Sequence, residues 1–207
     1  SNVSTLTITV TGVNDAPVTA ADTNAGNEDT TISGSVTGND DDVDSDDSAA
    51  SLTYALTGPA PAGLTFNGDG SYSLDASNAA YQHLAEGETT DVVVSYTATD
   101  SHGAVSNVST LTITVTGVND APVANNDSVS TAEDTPVNFD VRTNDSDVDG
   151  DSLTVTKING TSISVGSPVA ITGGSISLLA DGTLTYTPTP NFNGNPPSFS
   201  YTVSDGH

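Results

Sequence analysis

Cysteine, methionine and tryptophan are absent from this sequence of 207 residues, and only Arg142 and Lys157 are basic. Without cysteine, no disulfide can cross-link the chain. The 27 acidic residues give a formal net charge of -25, which would repel nucleic acid and anionic lipid. The composition therefore predicts cations as the natural partners of the chain.

Long apolar runs are missing as well. No stretch approaches the roughly 20 residues that span a bilayer, and the first residues lack the basic-then-apolar order of a signal peptide. We expect an excerpt of a longer chain, with its export or anchoring signal elsewhere and no direct membrane insertion. Hydrophobic residues make up 34% and aromatic residues 5%, which favours two small domains over one large one.

An internal repeat organises the chain. Residues 1–18 (SNVSTLTITVTGVNDAPV) recur without a change at 106–123, an offset of 105 positions. Further along, the same offset relates Asp22 to Asp127, Glu28 to Glu133, Asn39 to Asn144, Asp40 to Asp145, Asp44 to Asp149 and Asp100 to Asp205. A tandem array of similar domains follows.

Short β-rich runs within each repeat alternate between apolar and polar residues. Four of them are LTITV at 111–115, SLTYAL at 51–56, DVVVSYTAT at 91–99 and TLTYTP at 183–188. Turn sequences such as NGDG and DG separate them. About seven strands per hundred residues predict an all-β Greek-key sandwich. Residues 78–84 (NAAYQHL) could add a helical turn or a short helix, and we expect no longer helix.

Carboxylates cluster in one loop of each repeat. In the second repeat, Asp145, Asp147, Asp149 and Asp151 alternate around Gly150, and such charges repel one another unless a cation neutralises them. Calcium, which accepts six to eight oxygen ligands at about 2.3 to 2.6 Å, tolerates an irregular loop better than magnesium does. The loop begins like an EF-hand but has Thr156 where that motif needs a glutamate, so it is not one.

The first repeat has the same loop in a denser form without the glycine. Residues 39–47 (NDDDVDSDD) hold six acids, among them Asp40, Asp42 and Asp44. The two loops together contain ten of the 27 acidic residues, a clustering that favours specific metal sites over a general adaptation to salt. A solvated acidic loop without a metal is the alternative.

The order of these motifs resembles a known family. VNDAP, then EDT, then NDxDxD before LTY or LTV, then SYTxxD, is similar to the cadherin-like and VCBS-type repeats of bacterial RTX adhesins. The resemblance covers nearly the whole chain and implies two tandem Greek-key β-sandwiches of the cadherin-like or Ig-like kind. It also implies a secreted or cell-surface location and a calcium-rigidified extender that projects an adhesive tip for attachment and biofilm formation.

The resemblance assigns metal ligands by position. Calcium at the junction between the repeats would use Glu28, Glu86 or Glu88, Asn119, Asp120, Asp145, Asp147 and Asp205. The junction upstream of the first repeat would use Asn14, Asp15, Asp40, Asp42 and Asp100. The remaining candidates for metal binding are Asp44, Glu133, Asp149 and Asp151. Gly12 and Gly117 stand where animal cadherins have the first aspartate of the linker, so the number of ions stays open.

The repeat also predicts domain boundaries. Residues 1–14 would be the last strand and linker of a preceding repeat, 15–118 the first sandwich and 119–207 the second. The second sandwich would lack its final strand, which the offset places near positions 216–220, either because the chain is cut there or because another module is inserted. A neighbouring molecule's residues 1–12 could fill that place head to tail; a disordered or locally packed segment is the alternative.

Three function classes remain: an extender, a module that binds a glycan or a peptide, and a salt-adapted domain without a specific metal. Most aromatic residues lie in strand patterns typical of a core, which favours the extender over a ligand-binding platform. His83, His102 and His207 lie in turn-like segments, and no nucleophile-with-base or phosphate-binding motif occurs. We therefore expect no enzyme, and partners that are neighbouring repeats of the same chain.

Overall fold

A computed structural model describes residues 1–194 and 197–207, which form two compact units, residues 1–117 (unit 1) and residues 118–207 (unit 2). Each unit is built from short strands in two sheets. Within the described ranges the one helix is a 3-10 turn, Val141–Thr143. None of the described residues forms a helix suited to crossing a membrane. The predicted all-β class is confirmed.

Unit 1 consists of a four-stranded and a three-stranded sheet. The four-stranded sheet has the order β1-β7-β6-β3, and the three-stranded sheet has the order β2-β5-β4. The strands are β1 (Asp22–Asn27), β2 (Thr31–Ser35), β3 (Thr53–Leu56), β4 (Leu64–Phe66), β5 (Ser71–Asp75), β6 (Thr89–Thr99) and β7 (Ser109–Thr116).

The strand β7 lies between two neighbours at the centre of its sheet. It runs antiparallel to β6 and parallel to β1, so that Leu111 pairs with Val94 on one side and with Asp22 on the other. Its apolar residues Leu111, Ile113 and Val115 are completely buried, while the intervening threonines are partly exposed. This alternation is the period of two that the LTITV sequence predicted.

Unit 2 also has two sheets, with the orders β10-β9-β14 and β11-β12-β13-β8. Their strands are β8 (Val137–Phe139), β9 (Thr154–Ile158), β10 (Thr161–Ser162), β11 (Val169–Ile171), β12 (Gly174–Leu178), β13 (Leu184–Pro188) and β14 (Tyr201–Ser204). Among the residues that the structure describes, its core is smaller than that of unit 1: eight hydrophobic residues are buried, against 17 in unit 1. Phe199 and Tyr201 pack against the core of unit 2 but stay half-buried.

The strand predictions are confirmed with small shifts. LTITV lies in β7, DVVVSYTAT in β6 and TLTYTP in β13, and SLTYAL forms a strand only from Thr53 onward. Residues 78–84 form consecutive turns, with Tyr81 N–H donating to Asn78 O and Leu84 N–H to Tyr81 O. Residues 1–13, predicted as a strand of a preceding repeat, are exposed and lie outside every strand.

Candidate metal centre

The acidic site of unit 1 lies at one end of its sandwich, where three chain segments meet. Asn14 and Asp15 belong to the segment that enters the unit, Asp42 and Asp44 to the loop after β2, and Asp100 directly follows β6. The Asn14 amide donates to Asp100 Oδ2 at 2.9 Å, and the Asp15 N–H donates to Asp44 Oδ2 at 2.7 Å. These bonds hold the acidic loop against the entering segment.

Three carboxylates of this site come together. One oxygen each from Asp42, Asp47 and Asp100 lie within 4.8 Å of one another, and all three residues are buried. The Oδ1 atom of Asp42 accepts a hydrogen bond from the Asp44 N–H, but its buried Oδ2 has no donor among the described residues. A buried carboxylate oxygen without a donor is costly unless a cation contacts it, so these residues fit a metal ion.

Unit 1 offers few positive charges that could neutralise these three carboxylates. The sequence of unit 1 contains no lysine or arginine, so no basic side chain of its own can pair with these carboxylates. Asp100 accepts bonds from Asn14, from the N–H groups of His102 and Ala104, and the Asn14 amide is the main reason that its pKa is lowered. These hydrogen bonds favour the ionised form of the Asp100 carboxylate, which is the form that binds a cation.

Asp47 is the ligand candidate that the sequence prediction omitted. Its side chain is fully buried, accepts bonds from the Ser51 hydroxyl and the Ser101 N–H, and thereby joins the group formed with Asp42 and Asp100. The prediction followed the alternating acids at Asp40, Asp42 and Asp44. The run of acidic residues in the sequence continues to Asp47 at the end of the loop, and this continuation is the signal that could have identified it.

His102 lies at the rim of the same site. Its ring nitrogens are 3.7 Å from Asp46 Oδ2 and 3.6 Å from Asp47 Oδ2, and its side chain is about half exposed. It lies in a turn, as the sequence predicted, and it is the only histidine of unit 1 in a cluster with two carboxylates. The imidazole could therefore screen these carboxylates only when it is protonated.

Asp40 is not a member of the three-carboxylate group. Its Oδ1 accepts the Ala20 N–H at 2.8 Å, and it shares its surroundings with Asp22, to which the Tyr96 hydroxyl donates at 2.6 Å. Burial raises the pKa of Asp40 and of Asp22, and their mutual repulsion adds to the increase at Asp40. Asp40 therefore fastens the loop to the entering segment within this structure.

Unit 2 repeats three of these hydrogen bonds at the offset of 105 residues. The Asn119 amide donates to Asp205 Oδ2 at 3.1 Å, and the Asp120 N–H donates to Asp149 Oδ2 at 2.8 Å. The Asn125 N–H donates to Asp145 Oδ1 at 2.7 Å, as Ala20 does to Asp40. The Asn119 amide is also the main cause that lowers the pKa of Asp205.

The acidic site of unit 2 gathers a different set of carboxylates. One oxygen each from Asp147, Asp149 and Asp151 lie within 4.8 Å of one another. Ser152 occupies the position of Asp47, so that member of the unit 1 group has no counterpart. Gly150, at φ +83°, allows the tight loop that brings these acids together, because a side chain is strained in that conformation.

The predicted glutamate ligands are not members of the Asp42–Asp47–Asp100 or Asp147–Asp149–Asp151 groups. Glu86 and Glu88 are exposed in the turn beside Gly117, at the end of unit 1 where β7 finishes, and Glu28 is buried just after β1 at that same end. They are separated from Asp100 by the length of β6, about 35 Å for its 11 residues. Glu133 of unit 2 is exposed in a turn shortly before β8.

Gly117 explains one departure from the animal cadherins. A Cβ atom at this position would collide with the backbone oxygens of Leu84 and Ala85. The backbone of residues 84–88 follows β7 closely here, with the Gly117 N–H donating to Glu88 O at 2.8 Å. An aspartate therefore does not fit at position 117 in this structure.

The comparisons with solved structures concern the fold. A PcdhgB3 EC1-4 structure has a TM-score of 0.51 at 14% identity, covering 91% of this chain and 48% of its own. Human Protocadherin-24 EC1-2 follows with 0.49 at 19% identity, covering 92% and 94%. The endo-fucoidan hydrolase MfFcnA4 has 0.39 at 19% identity, covering 97% and 28%. This chain thus spans about half the length of the PcdhgB3 fragment.

The two units match different protein families. None of the curated proteins matches the chain. Residues 119–207 match the bacterial Ig domain, and residues 14–117, half of the chain, match the bacterial cadherin-like domain. Domains of both kinds are typically extracellular and without enzymatic activity, and no enzyme family is indicated. Through residues 14–117, which carry the acidic site of unit 1, this chain belongs to the bacterial cadherin-like domain family.

Proposed function

We propose that the two units are calcium-binding extender repeats of a bacterial surface adhesin of the RTX type. In this role they would hold an adhesive tip away from the cell for attachment and biofilm formation. Membership of a family of extracellular repeat domains supports the location, and the acidic sites support the cation. The chain's strongly negative charge is consistent with a partner that is a cation.

The buried group of Asp42, Asp47 and Asp100 is the observation that carries the proposal. Three carboxylates so close together repel one another, and the sequence of unit 1 has no lysine or arginine to offset them. Two hydrogen bonds of this site, from Asn14 to Asp100 and from the Asp15 N–H to Asp44, recur in unit 2 at the same offset. A loop that was merely solvated would not need to bury its acids or to repeat their bonds.

The chemistry of the donors favours calcium. Carboxylate and amide oxygens are hard ligands, and calcium accepts more of them, in less regular arrangements, than magnesium does. The chain has no cysteine, and His102 alone offers a nitrogen beside the acids of unit 1. Zinc, which prefers thiolate and imidazole ligands, is therefore the poorer fit.

Calcium would also make the array of repeats stiff. The VNDAP linker is short, and its proline restricts the backbone. The proposed junction set takes Glu28 and Glu86 or Glu88 from unit 1, and Asn119, Asp120, Asp145, Asp147 and Asp205 from unit 2. An ion held by ligands from neighbouring repeats would convert repulsion between acidic ends into attraction.

Thermal unfolding of the chain in EDTA, in millimolar calcium and in millimolar magnesium tests the proposal. A ligand that binds only the folded state stabilises it by about 2.7 kcal/mol at a concentration of 100 times its Kd. We expect a large rise of Tm that is selective for calcium. An unchanged Tm in calcium would contradict the proposal and leave a salt-adapted sandwich.

A matched pair of variants locates the effect. Asp42→Asn removes a buried candidate ligand, whereas Asp29→Asn removes the same charge from an exposed turn. Asparagine tolerates the φ of +62° that residue 29 adopts. The calcium-induced rise of Tm for unit 1 should shrink in the first variant and persist in the second. Equal losses in both would mean that only the net charge matters.

A further inference from the structure

Arg142 joins the two ends of the acidic loop of unit 2. This loop, residues 144–152, begins directly after the 3-10 turn Val141–Thr143 and ends shortly before β9. At the start of the loop the Asp145 N–H donates to Arg142 O at 3.3 Å. At its end the Nη1 atom of Arg142 donates to Leu153 O at 3.4 Å. One residue thus contacts both ends of the loop.

Two further contacts fix the Arg142 side chain itself. Its Nε and Nη2 atoms donate to the two carboxylate oxygens of Asp140, an arrangement in which the planar guanidinium group matches the carboxylate. Nη2 also donates to Asp181 O at 3.1 Å, in the turn between β12 and β13. Because these bonds end on separate segments of unit 2, the guanidinium group has a defined position from which it can hold the loop.

The acids of the unit 2 site lie beside this arginine. Asp145, Asp147 and Asp151 line the same cavity of about 330 Å³ as Arg142 and Asp140. The Asp140 carboxylate balances the positive charge of Arg142, so the pair adds little net charge near a cation site. The contribution of Arg142 to this site is therefore to hold the loop in place.

The corresponding position of unit 1 lacks this contact. Thr37 is 105 positions before Arg142, and the two residues face equivalent turns: a Cβ atom on Gly70 would collide with Thr37, and one on Gly182 would collide with Arg142. The N–H and the hydroxyl of Thr37 contact the Ser35 hydroxyl, in the same segment. Ser35 in turn stands where unit 2 has the carboxylate that pairs with the arginine.

The acidic loop of unit 1 is longer and has a different additional restraint. Leu52 follows Asp40 by 12 positions, whereas Leu153 follows Asp145 by eight. The longer loop contains Asp47, a buried member of the three-carboxylate group. This restraint is a negative charge, which adds to the repulsion within the group until a cation is bound. The ion pair that restrains the loop of unit 2 needs no cation.

We propose that Arg142 positions the acidic loop of unit 2 for cation binding before the cation arrives, a role for which unit 1 has no equivalent residue. The inference rests on the proposed function for the identity of the cation, whereas the action of Arg142 concerns the cation-free protein. A loop that is already ordered loses less conformational entropy when it binds an ion. Arg142 is thus a positioning residue of the unit 2 site.

Hydrogen exchange in EDTA tests this role. The matched variants are Arg142→Gln and Lys157→Gln, because Lys157 is the other basic residue of the chain and is exposed on β9. The amides to follow are those that donate from within the loop: Asp145, Ser146 and Asp149. We expect Arg142→Gln to speed their exchange about tenfold or more, and Lys157→Gln to leave it unchanged. Equal rates in the wild-type chain and in Arg142→Gln would overturn the proposal.

Exchange in β12 and β13 separates a local effect from a general loss of stability. If Arg142→Gln sped exchange in these strands by the same factor as in the loop, the proposal would be overturned. Arg142→Lys keeps the charge without the planar fork and decides the question where Arg142→Gln does not fold. Faster exchange in its loop with unchanged strands supports the proposal, and exchange as slow as in the wild-type chain overturns it.

The same measurements in millimolar calcium distinguish this proposal from the calcium proposal. Calcium should slow exchange in the loop by a larger factor in Arg142→Gln than in the wild-type chain, because the ion then supplies the order that the arginine supplied before. An equal factor in both chains would show that Arg142 does not position the loop for the ion, and would overturn the proposal. If calcium slowed exchange in none of the chains, the calcium proposal would fail, and the rates in EDTA would still decide the role of Arg142.

Discussion

Units 1 and 2 hold their acidic loops in the same way but close their cores differently. The bonds from Asn14 to Asp100 and from Asn119 to Asp205 are equivalent, as are those from Asp15 to Asp44 and from Asp120 to Asp149. By contrast, unit 1 buries 17 hydrophobic core residues and unit 2 only eight. The same loop geometry therefore occurs beside cores of different size among the described residues.

Unit 2 has stabilising contacts of its own that unit 1 lacks. Arg142 donates from Nε and Nη2 to the two carboxylate oxygens of Asp140 at 2.8 and 2.9 Å, and its Nη2 also reaches Asp181 O. The rings of Phe139 and Phe199 pack 6.4 Å apart. The comparison teaches that a repeat can keep its acidic site while it changes the contacts that hold its sheets together.

Truncation of the central strand should give the largest difference. Ile113→Ala removes a completely buried side chain from β7 and should cost about 3 kcal/mol of unfolding free energy. Ile8→Ala makes the same change in an identical sequence that is exposed, and should leave the stability of dilute protein unchanged. Urea unfolding followed by circular dichroism measures both. Similar losses would show that residues 4–11 are packed.

Removal of one ligand from each site should act on one unit at a time. Asp42→Asn should reduce the calcium-induced stabilisation of unit 1, and Asp147→Asn that of unit 2. Each reduction should be about 1.4 kcal/mol or more, which corresponds to a tenfold weaker affinity. Calorimetric scans in EDTA and in calcium measure the two transitions. If either variant shifted both transitions equally, the two sites would not be independent.

The two equivalent tyrosines should differ in a smaller but measurable way. Tyr96→Phe removes the hydroxyl that donates to the half-buried Asp22 carboxylate and to the Ala20 carbonyl, which should cost about 2 kcal/mol. Tyr201→Phe should cost about 0.5 kcal/mol, because Tyr201 is only half-buried and water can take the place of its hydroxyl. Urea unfolding of both variants gives the comparison. Equal costs would indicate that the two hydroxyl groups are equally buried in solution.

The smallest expected effects are changes in the free energy of unfolding with pH. Hydrogen bonds from Arg142 lower the pKa of Asp140, so the stability this carboxylate contributes is present above its unfolded pKa of about 3.9 and is lost as the pH falls through the lowered pKa. Asp140→Asn should therefore cost unit 2 about 1 kcal/mol at pH 7 and progressively less as the pH falls through the lowered pKa. Unfolding in EDTA across this range measures it; a cost that did not vary with pH would contradict the assignment.

For Asp22 of unit 1 we expect the opposite dependence of stability on pH. Burial raises its pKa, so its contribution to stability is complete below the unfolded pKa and is lost as the pH rises through the raised value. Asp22→Asn should consequently stabilise unit 1 at neutral pH in EDTA, since Tyr96 can still donate to the amide oxygen. A destabilised variant at pH 7 would show that the charge itself is needed.

Much of the fold could be predicted because its signals are local. The alternation in LTITV and DVVVSYTAT predicted two strands, and the acid clusters predicted the loops that hold Asp42 and Asp147. The burial of Asp47 and the bond from the Ala20 N–H to Asp40 could not be predicted, because both depend on which segment packs against the loop. Ser51 and Ser101, which bond Asp47, lie on different segments.

The sequence by itself determined that this chain is all-β, that it repeats every 105 residues and that its acids gather in loops. Periodicity, composition and identity along the chain contain that information. Only the tertiary structure decided that STLTITVT is a buried central strand at 109–116 and an exposed segment at 4–11. The physical reason is that a strand needs neighbours for its backbone hydrogen bonds and a core for its apolar face, and one sequence has both at one position and neither at the other.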